Sequence, residues 1–155
     1  MNPDSLRQLI RSTLSPLGLY SADAEELLMA TCAQESHLGE YRHQIHGPAL
    51  GIFQMEPEDH DDIWANFLAY HFDLATAIRQ LSGALQPDAS DLQTNDAYAI
   101  AMCRVHYMRA HGALPAASDL TGLWNYYKQH YNTPAGAATQ AEFVHNYKLT
   151  GGSAT

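Results

Sequence analysis

Basic residues are scarce in this chain. Eight Lys and Arg stand against 17 Asp and Glu, a formal net charge of −9 at pH 7. No stretch gathers the bases into the stripe that a nucleic-acid-binding surface needs, so DNA and RNA are not expected partners. The same charge opposes docking on an anionic membrane, and no run of about 18 apolar residues exists to cross one. Cysteine is limited to Cys32 and Cys103. Both sit in apolar helical surroundings without metal-binding spacing and read as small buried thiols. The start, Met1-Asn2-Pro3-Asp4-Ser5-Leu6-Arg7, lacks the basic region, apolar region and small-residue cleavage site of a signal peptide, and none is expected. His-Glu-x-x-His and other ligand spacings are missing too. The acidic run Glu58-Asp59-His60-Asp61-Asp62 follows Pro57 and suits the positive end of a helix. Neither a metal nor a cofactor is expected.

What the chain does have is enough apolar material for one core. Apolar residues make up 46% of its 155 positions, and a chain of that length buries about 70% of its unfolded surface. The reading is a single domain over residues 1–149 and a flexible tail over 150–155. Helix signals dominate. Asn2-Pro3 opens one helix, carrying Leu6, Leu9, Ile10 and Leu14, and Ser21 caps a second that is apolar on several sides. Helical spacing resumes after Pro57, again from about Asp96 to Arg109, after Ser118-Asp119, and at Thr139-Gln140-Ala141-Glu142, a capping-box pattern. Six or seven helices are expected. Residues 40–57 lose this periodicity, gain Gly47-Pro48 and Gly51, and hold the β-prone Leu50-Gly51-Ile52-Phe53-Gln54-Met55, read as a small hairpin or loop. The fold class is α+β, predominantly helical.

Chemistry concentrates where the second helix ends, at Glu35-Ser36-His37-Leu38-Gly39, with Gly39 as the expected left-handed terminator. A carboxyl at the C-terminal end of an apolar helix meets the negative end of the dipole and poor solvation. Both raise its pKa, as a general acid requires. Gly51 suits a tight turn or close backbone approach. Gln54 alone reads equally as a polar residue on an exposed face or as a ligand-binding amide. His37, His43 and His46 flank this region and read as solvated loop residues.

Ala33-Gln34-Glu35-Ser36, followed by Gly47-Pro48-Ala49-Leu50-Gly51-Ile52-Phe53-Gln54-Met55-Glu56-Pro57, resembles the soluble lytic transglycosylase and goose-type lysozyme family. That family pairs a Gln-Glu-Ser helix end with a Gly-x-x-Gly-apolar-apolar-Gln segment, and Glu35 and Gln54 stand 19 positions apart here. The resemblance implies a lysozyme-like fold and cleavage of the β-1,4 bond between N-acetylmuramic acid and N-acetylglucosamine in peptidoglycan, with Glu35 as general acid and base. It places Ser36, Gly51, Phe53 and Gln54 at the substrate. A late Tyr-Asn of the family has two placements. Tyr131-Asn132, leading to Gly136, is preferred on pattern; Trp124-Asn125-Tyr126-Tyr127 fits better on position, so Tyr127 stays a second candidate. The partners implied are the peptidoglycan glycan strand and the tail or virion proteins of a bacteriophage. The implied setting is an endolysin or virion-associated lysin, in the virion or the host cytoplasm before it reaches periplasmic peptidoglycan.

A second carboxylate would separate mechanisms. A hydrolase on the same fold, a muramidase, needs one opposite Glu35, and Glu40, Glu56, Glu58 and Asp59 are candidates. A transglycosylase needs none. A third reading is a virion structural protein with vestigial activity.

Overall fold

Caps written in the sequence set where the chain turns helical. The computed structural model describes residues 1–43, 47–133 and 135–155. Among these, eight α-helices follow one another: α1 (Pro3–Leu14), α2 (Ala22–Ser36), α3 (Pro57–Asn66), α4 (Phe72–Ser82), α5 (Asp91–Thr94), α6 (Asp96–Met108), α7 (Leu120–Tyr127) and α8 (Gln140–Tyr147). Short 3-10 turns at Leu68–Tyr70 and Lys148–Thr150 and a π-type turn at Lys128–Asn132 complete the set. The side chains of Asn2, Ser21, Asn95, Asp119 and Thr139 accept from backbone N–H groups at the starts of α1, α2, α6, α7 and α8. Each satisfies donors that the first turn leaves unpaired. The helix beyond the expected six or seven is the four-residue α5, too short to show periodicity. No helix among the described residues is long and apolar enough to cross a membrane.

Helix α2 is the axis of the molecule and packs against α1, α6, α7 and α8. Every residue from Ala24 to Ala33 is buried, so it has no solvent face, as expected of a helix enclosed by others. Its two buried acids are engaged. Arg7 donates to Glu26 at 2.7 Å and to Glu25 at 3.1 Å, and the Tyr147 hydroxyl donates to Glu26. These bonds tie α1 and α8 to α2. The core draws on all eight helices, from Leu6 and Leu28 through Ile63, Ile78, Leu92 and Met102 to Leu123 and Phe143. Within it, the Trp64 indole N–H donates to the Tyr98 hydroxyl at 2.9 Å, and Tyr98 bonds His60 Nε2 at 2.7 Å. A buried polar chain of this kind is stabilising only when fully satisfied, and among the described residues no buried side-chain N or O lacks a partner.

Two expectations change. The segment 150–155, read as a loose tail, is held: Thr150 and Ala154 are buried, Ala154 N–H donates to the Tyr147 hydroxyl, and Thr155 exchanges backbone hydrogen bonds with Ser118 and Leu120 at 3.1 and 3.2 Å. The reason is that Gly152 passes directly over the Tyr147 and Glu26 side chains, where a Cβ would come within 2.2 Å of the tyrosine oxygen. The second change concerns residues 40–57, of which 44–46, including His46, lie outside the described residues. Only isolated bridges occur in the described part, His43 with Leu50 and Leu50 with Met55, and no hairpin forms. Leu50 and Met55 exchange backbone hydrogen bonds of 3.0 and 3.2 Å, and the four residues between them are consumed by a turn. The next hydrogen-bonded pair of such a ladder would join Pro48 to Pro57, neither of which has an N–H to give.

Candidate active site

Helix α2 closes with Leu38 N–H donating to the Cys32 carbonyl at 3.3 Å and His37 N–H to Ala33 at 3.1 Å, a nested pair of bonds that satisfies carbonyls the last turn would leave unpaired. His37 at φ 49°, not Gly39, is the left-handed terminator; Leu38 at 57° and Gly39 at 88° continue the same twist. Left-handed non-glycine residues each cost about 1–2 kcal/mol. Here burial of Leu38 offsets the strain. The sharp reversal leaves Glu35 on the last turn with its side chain in a cleft of about 600 Å³, within the usual size of a ligand site.

Glu35, Ala49, Gln54, Met55, Glu56, Asp59, His106, Tyr131, Asn132 and Thr133 line this cleft. Among the described residues it carries three carboxylates and no Lys or Arg. Burial raises the Glu35 pKa to about 7, partly opposed by a hydrogen bond donated by the Tyr127 hydroxyl, and no neighbouring carboxylate contributes. The buried Cys103 and Tyr107, and Tyr131 of the cleft lining, are close enough to feel its charge. Gln34, the preceding residue of the motif, accepts from Asn146 of α8 at 3.0 Å and pins the helix end from outside.

The 50–55 turn forms the facing wall. Gln54, at φ 48°, bonds back through its side-chain amide nitrogen to the Gly51 carbonyl at 2.8 Å. Tyr131 donates through its hydroxyl to the Phe53 carbonyl at 2.6 Å and so joins the turn to the π-type segment Lys128–Asn132. Such segments recur at functional sites. Lys128 fixes the next bend by donating to Asn132 Oδ1 at 2.8 Å and to the Gly136 carbonyl at 2.7 Å. Thr133 then adopts φ 73°, ψ 151° at the cleft edge, a costly conformation for a β-branched residue. Pro134, between Asn132 and Gly136, lies outside the described residues.

Seven residues are expected at the substrate beside Glu35, and the structure divides them. Gln54, Tyr131 and Asn132 line the cleft, and Tyr127 touches Glu35 from behind. Ser36, Gly51 and Phe53, expected at the substrate, are not among the lining residues. The buried Ser36 hydroxyl donates to the Ile52 carbonyl at 2.6 Å and accepts from Gly39 N–H at 2.9 Å. Gly51, at φ 79°, lies against the Leu92 carbonyl, which an added Cβ would approach to 2.2 Å. Phe53 is 1% exposed and packs inward. Of the four acids weighed as second carboxylates, Glu56 and Asp59 line the cleft, and Glu40 and Glu58 do not.

His106 is a lining residue that neither the motifs nor the candidate acids of the sequence reach. It stands three positions after the buried Cys103 on α6, a polar residue near an apolar stripe, and that phase is its one sequence signal. Its Nε2 bonds the His130 carbonyl at 2.8 Å. A carbonyl only accepts, so Nε2 carries the hydrogen. Among the described residues no group of three or more His, Cys, Asp or Glu side chains is placed to hold a metal ion. No family model, characterised protein or solved structure matches the chain.

Proposed function

We propose that this chain is a lysozyme-like lytic transglycosylase that cleaves the β-1,4 bond between N-acetylmuramic acid and N-acetylglucosamine in peptidoglycan. The observation that carries the reading is the ionisation of Glu35: burial beside a polar cleft raises its pKa to about 7, so it holds a proton near neutral pH and releases it readily. A group with its pKa near the working pH serves as acid and base in turn.

In the first step Glu35 gives its proton to the glycosidic oxygen as the bond from that oxygen to the muramoyl C1 breaks. The departing sugar leaves as an alcohol, and the N-acetyl carbonyl oxygen of the substrate shields the electron-poor C1. The Glu35 carboxylate then takes the proton of the muramoyl 6-hydroxyl while that oxygen bonds to C1, which closes a 1,6-anhydro ring and restores the acid. No second carboxylate is required, in keeping with the lack of any carboxylate influence on Glu35. The expected setting is a bacteriophage lysin, free or carried in the virion.

A second reading, hydrolysis on the same framework, rests on Glu56 and Asp59, which share the cleft with Glu35. Mass spectrometry of muropeptides released from purified peptidoglycan separates the two. The transglycosylase gives anhydro ends, one water lighter than the reducing ends of a hydrolase, and Glu35→Gln abolishes either. Release of nothing by the wild type overturns the reading and favours a structural virion protein, and equal release by the variant overturns Glu35 as its acid.

A further inference from the structure

The His106 ring is fixed in orientation and unfinished in its hydrogen bonding. Its Nε2–H is committed to the His130 carbonyl at 2.8 Å, and the edge of Tyr131 lies against it, ring centroids 4.9 Å apart at 70°. Burial lowers its pKa below the ordinary histidine value; the bond to His130 and the charge of Asp59 oppose this, and the charges of Arg109 and His130 add to it. The neutral ring with hydrogen on Nε2 has a bare lone pair on Nδ1. Among the described residues no hydrogen bond engages that nitrogen, yet none of their buried side-chain nitrogens lacks a partner, so Nδ1 reaches solvent. The solvent space that His106 lines is the cleft.

The surrounding chemistry identifies what such a nitrogen meets. Glu56 and Asp59 add acceptors, and among the described residues no Lys or Arg lines the cleft. A site rich in acceptors suits a neutral ligand rich in donors, which a saccharide is, with its hydroxyls and acetamido N–H groups. We propose that His106 is a substrate-binding residue, its Nδ1 accepting a hydrogen bond from a hydroxyl or acetamido N–H of the sugar held beside Glu35. This rests on the glycan-cleaving reading of the same cleft and adds a residue outside its motifs.

Two substitutions separate the two ring nitrogens. Glutamine places an amide N–H near the Nε2 position, so His106→Gln keeps the tie to His130 and loses the Nδ1 acceptor. Asparagine places its oxygen near Nδ1, so His106→Asn keeps the acceptor and loses the tie. Binding of an N-acetylglucosamine tetramer is measured by titration calorimetry, cleavage of purified peptidoglycan by initial rates, and folding by thermal unfolding. The expected result is tetramer affinity about 3- to 10-fold weaker in His106→Gln, the effect of one neutral hydrogen bond, with an unchanged unfolding temperature. His106→Asn binds within about twofold of wild type although it unfolds earlier. Wild-type affinity in His106→Gln, or weakening in both variants that follows their loss of stability, overturns the proposal. Wild type that binds the tetramer but cleaves no peptidoglycan overturns the reaction and leaves His106 supported by the same comparison. Wild type that binds no tetramer overturns His106 as a sugar ligand even where cleavage is found.

Discussion

The Tyr127 hydroxyl donates a hydrogen bond to Oε2 of Glu35 across 92 residues of sequence. It joins the last turn of α2 to the last turn of α7 and opposes the burial that raises the Glu35 pKa. A donor to a carboxylate favours its charged form, so the bond sets how far the acid rises. Tyr127→Phe removes it and leaves the packing of the ring. The alkaline limb of the wild-type kcat/KM profile is expected near pH 7, and in Tyr127→Phe at higher pH. A pH–rate series on both proteins checks this; an unmoved limb shows that the bond does not govern the acid.

Glu35 also makes folding depend on pH. Its pKa is about 7 folded against 4.5 for a free carboxyl. Between those values the folded chain binds the proton that the unfolded chain releases, so this group's contribution to stability is present below 4.5 and lost as pH rises through 7. Glu35→Gln has no such loss. It is expected to be more stable than wild type at pH 8 by about 2 kcal/mol, allowing for partial solvent screening, and nearly equal at pH 4. Urea unfolding at the two pH values measures the difference.

Gly51→Ala is expected to unsettle the cleft wall. The substitution places a methyl 2.2 Å from the Leu92 carbonyl oxygen at a φ of 79°. The left-handed conformation alone costs about 1–2 kcal/mol, and the clash requires backbone to move. A loss above about 2 kcal/mol in denaturant unfolding, with reduced tetramer binding, is the outcome that fits.

Ser36→Ala leaves the Ile52 carbonyl and Gly39 N–H without their side-chain partner. Buried groups that lose a partner cost about 1–3 kcal/mol each. The variant is expected to unfold earlier and to bind sugar more weakly through displacement of the turn. Unchanged stability would place Ser36 outside the framework of the site.

Arg7→Ala removes the cation paired with Glu26, which is under 10% exposed, while Glu25 keeps its ion pair with Arg11. Breaking a buried pair by deleting one partner costs about 3–5 kcal/mol. Thermal unfolding is expected at a clearly lower temperature.

Much of the fold is legible in the sequence because caps are local. Asn2, Ser21, Asp119 and Thr139 open helices where their side chains meet nearby N–H groups, and no distant contact is needed to read them. Glu35 and Gln54 are legible as a spaced pair, and the structure puts both in one cleft. What lies between them is harder. Leu50 to Met55 has the composition of a strand, but Ile52 and Phe53 are both buried where alternation would expose one. Ser36 and Gly51 lie within the motif yet serve contacts with Ile52 and Leu92, which sequence spacing does not disclose. His106 enters the site only because α6 packs behind α2, a tertiary fact with no local signature.

Pro48 and Pro57 flank the 50–55 turn at the positions where a ladder would continue. Chains with open strand edges are templates for one another, because unpaired N–H groups seek carbonyls in any neighbour. This wall of the cleft has prolines where its next donors would stand, and its Leu50–Met55 bridge is turned inward on itself. This strand-like segment therefore offers a foreign strand no N–H at Pro48 or Pro57, and a ladder growing from this wall of the cleft stops at both positions.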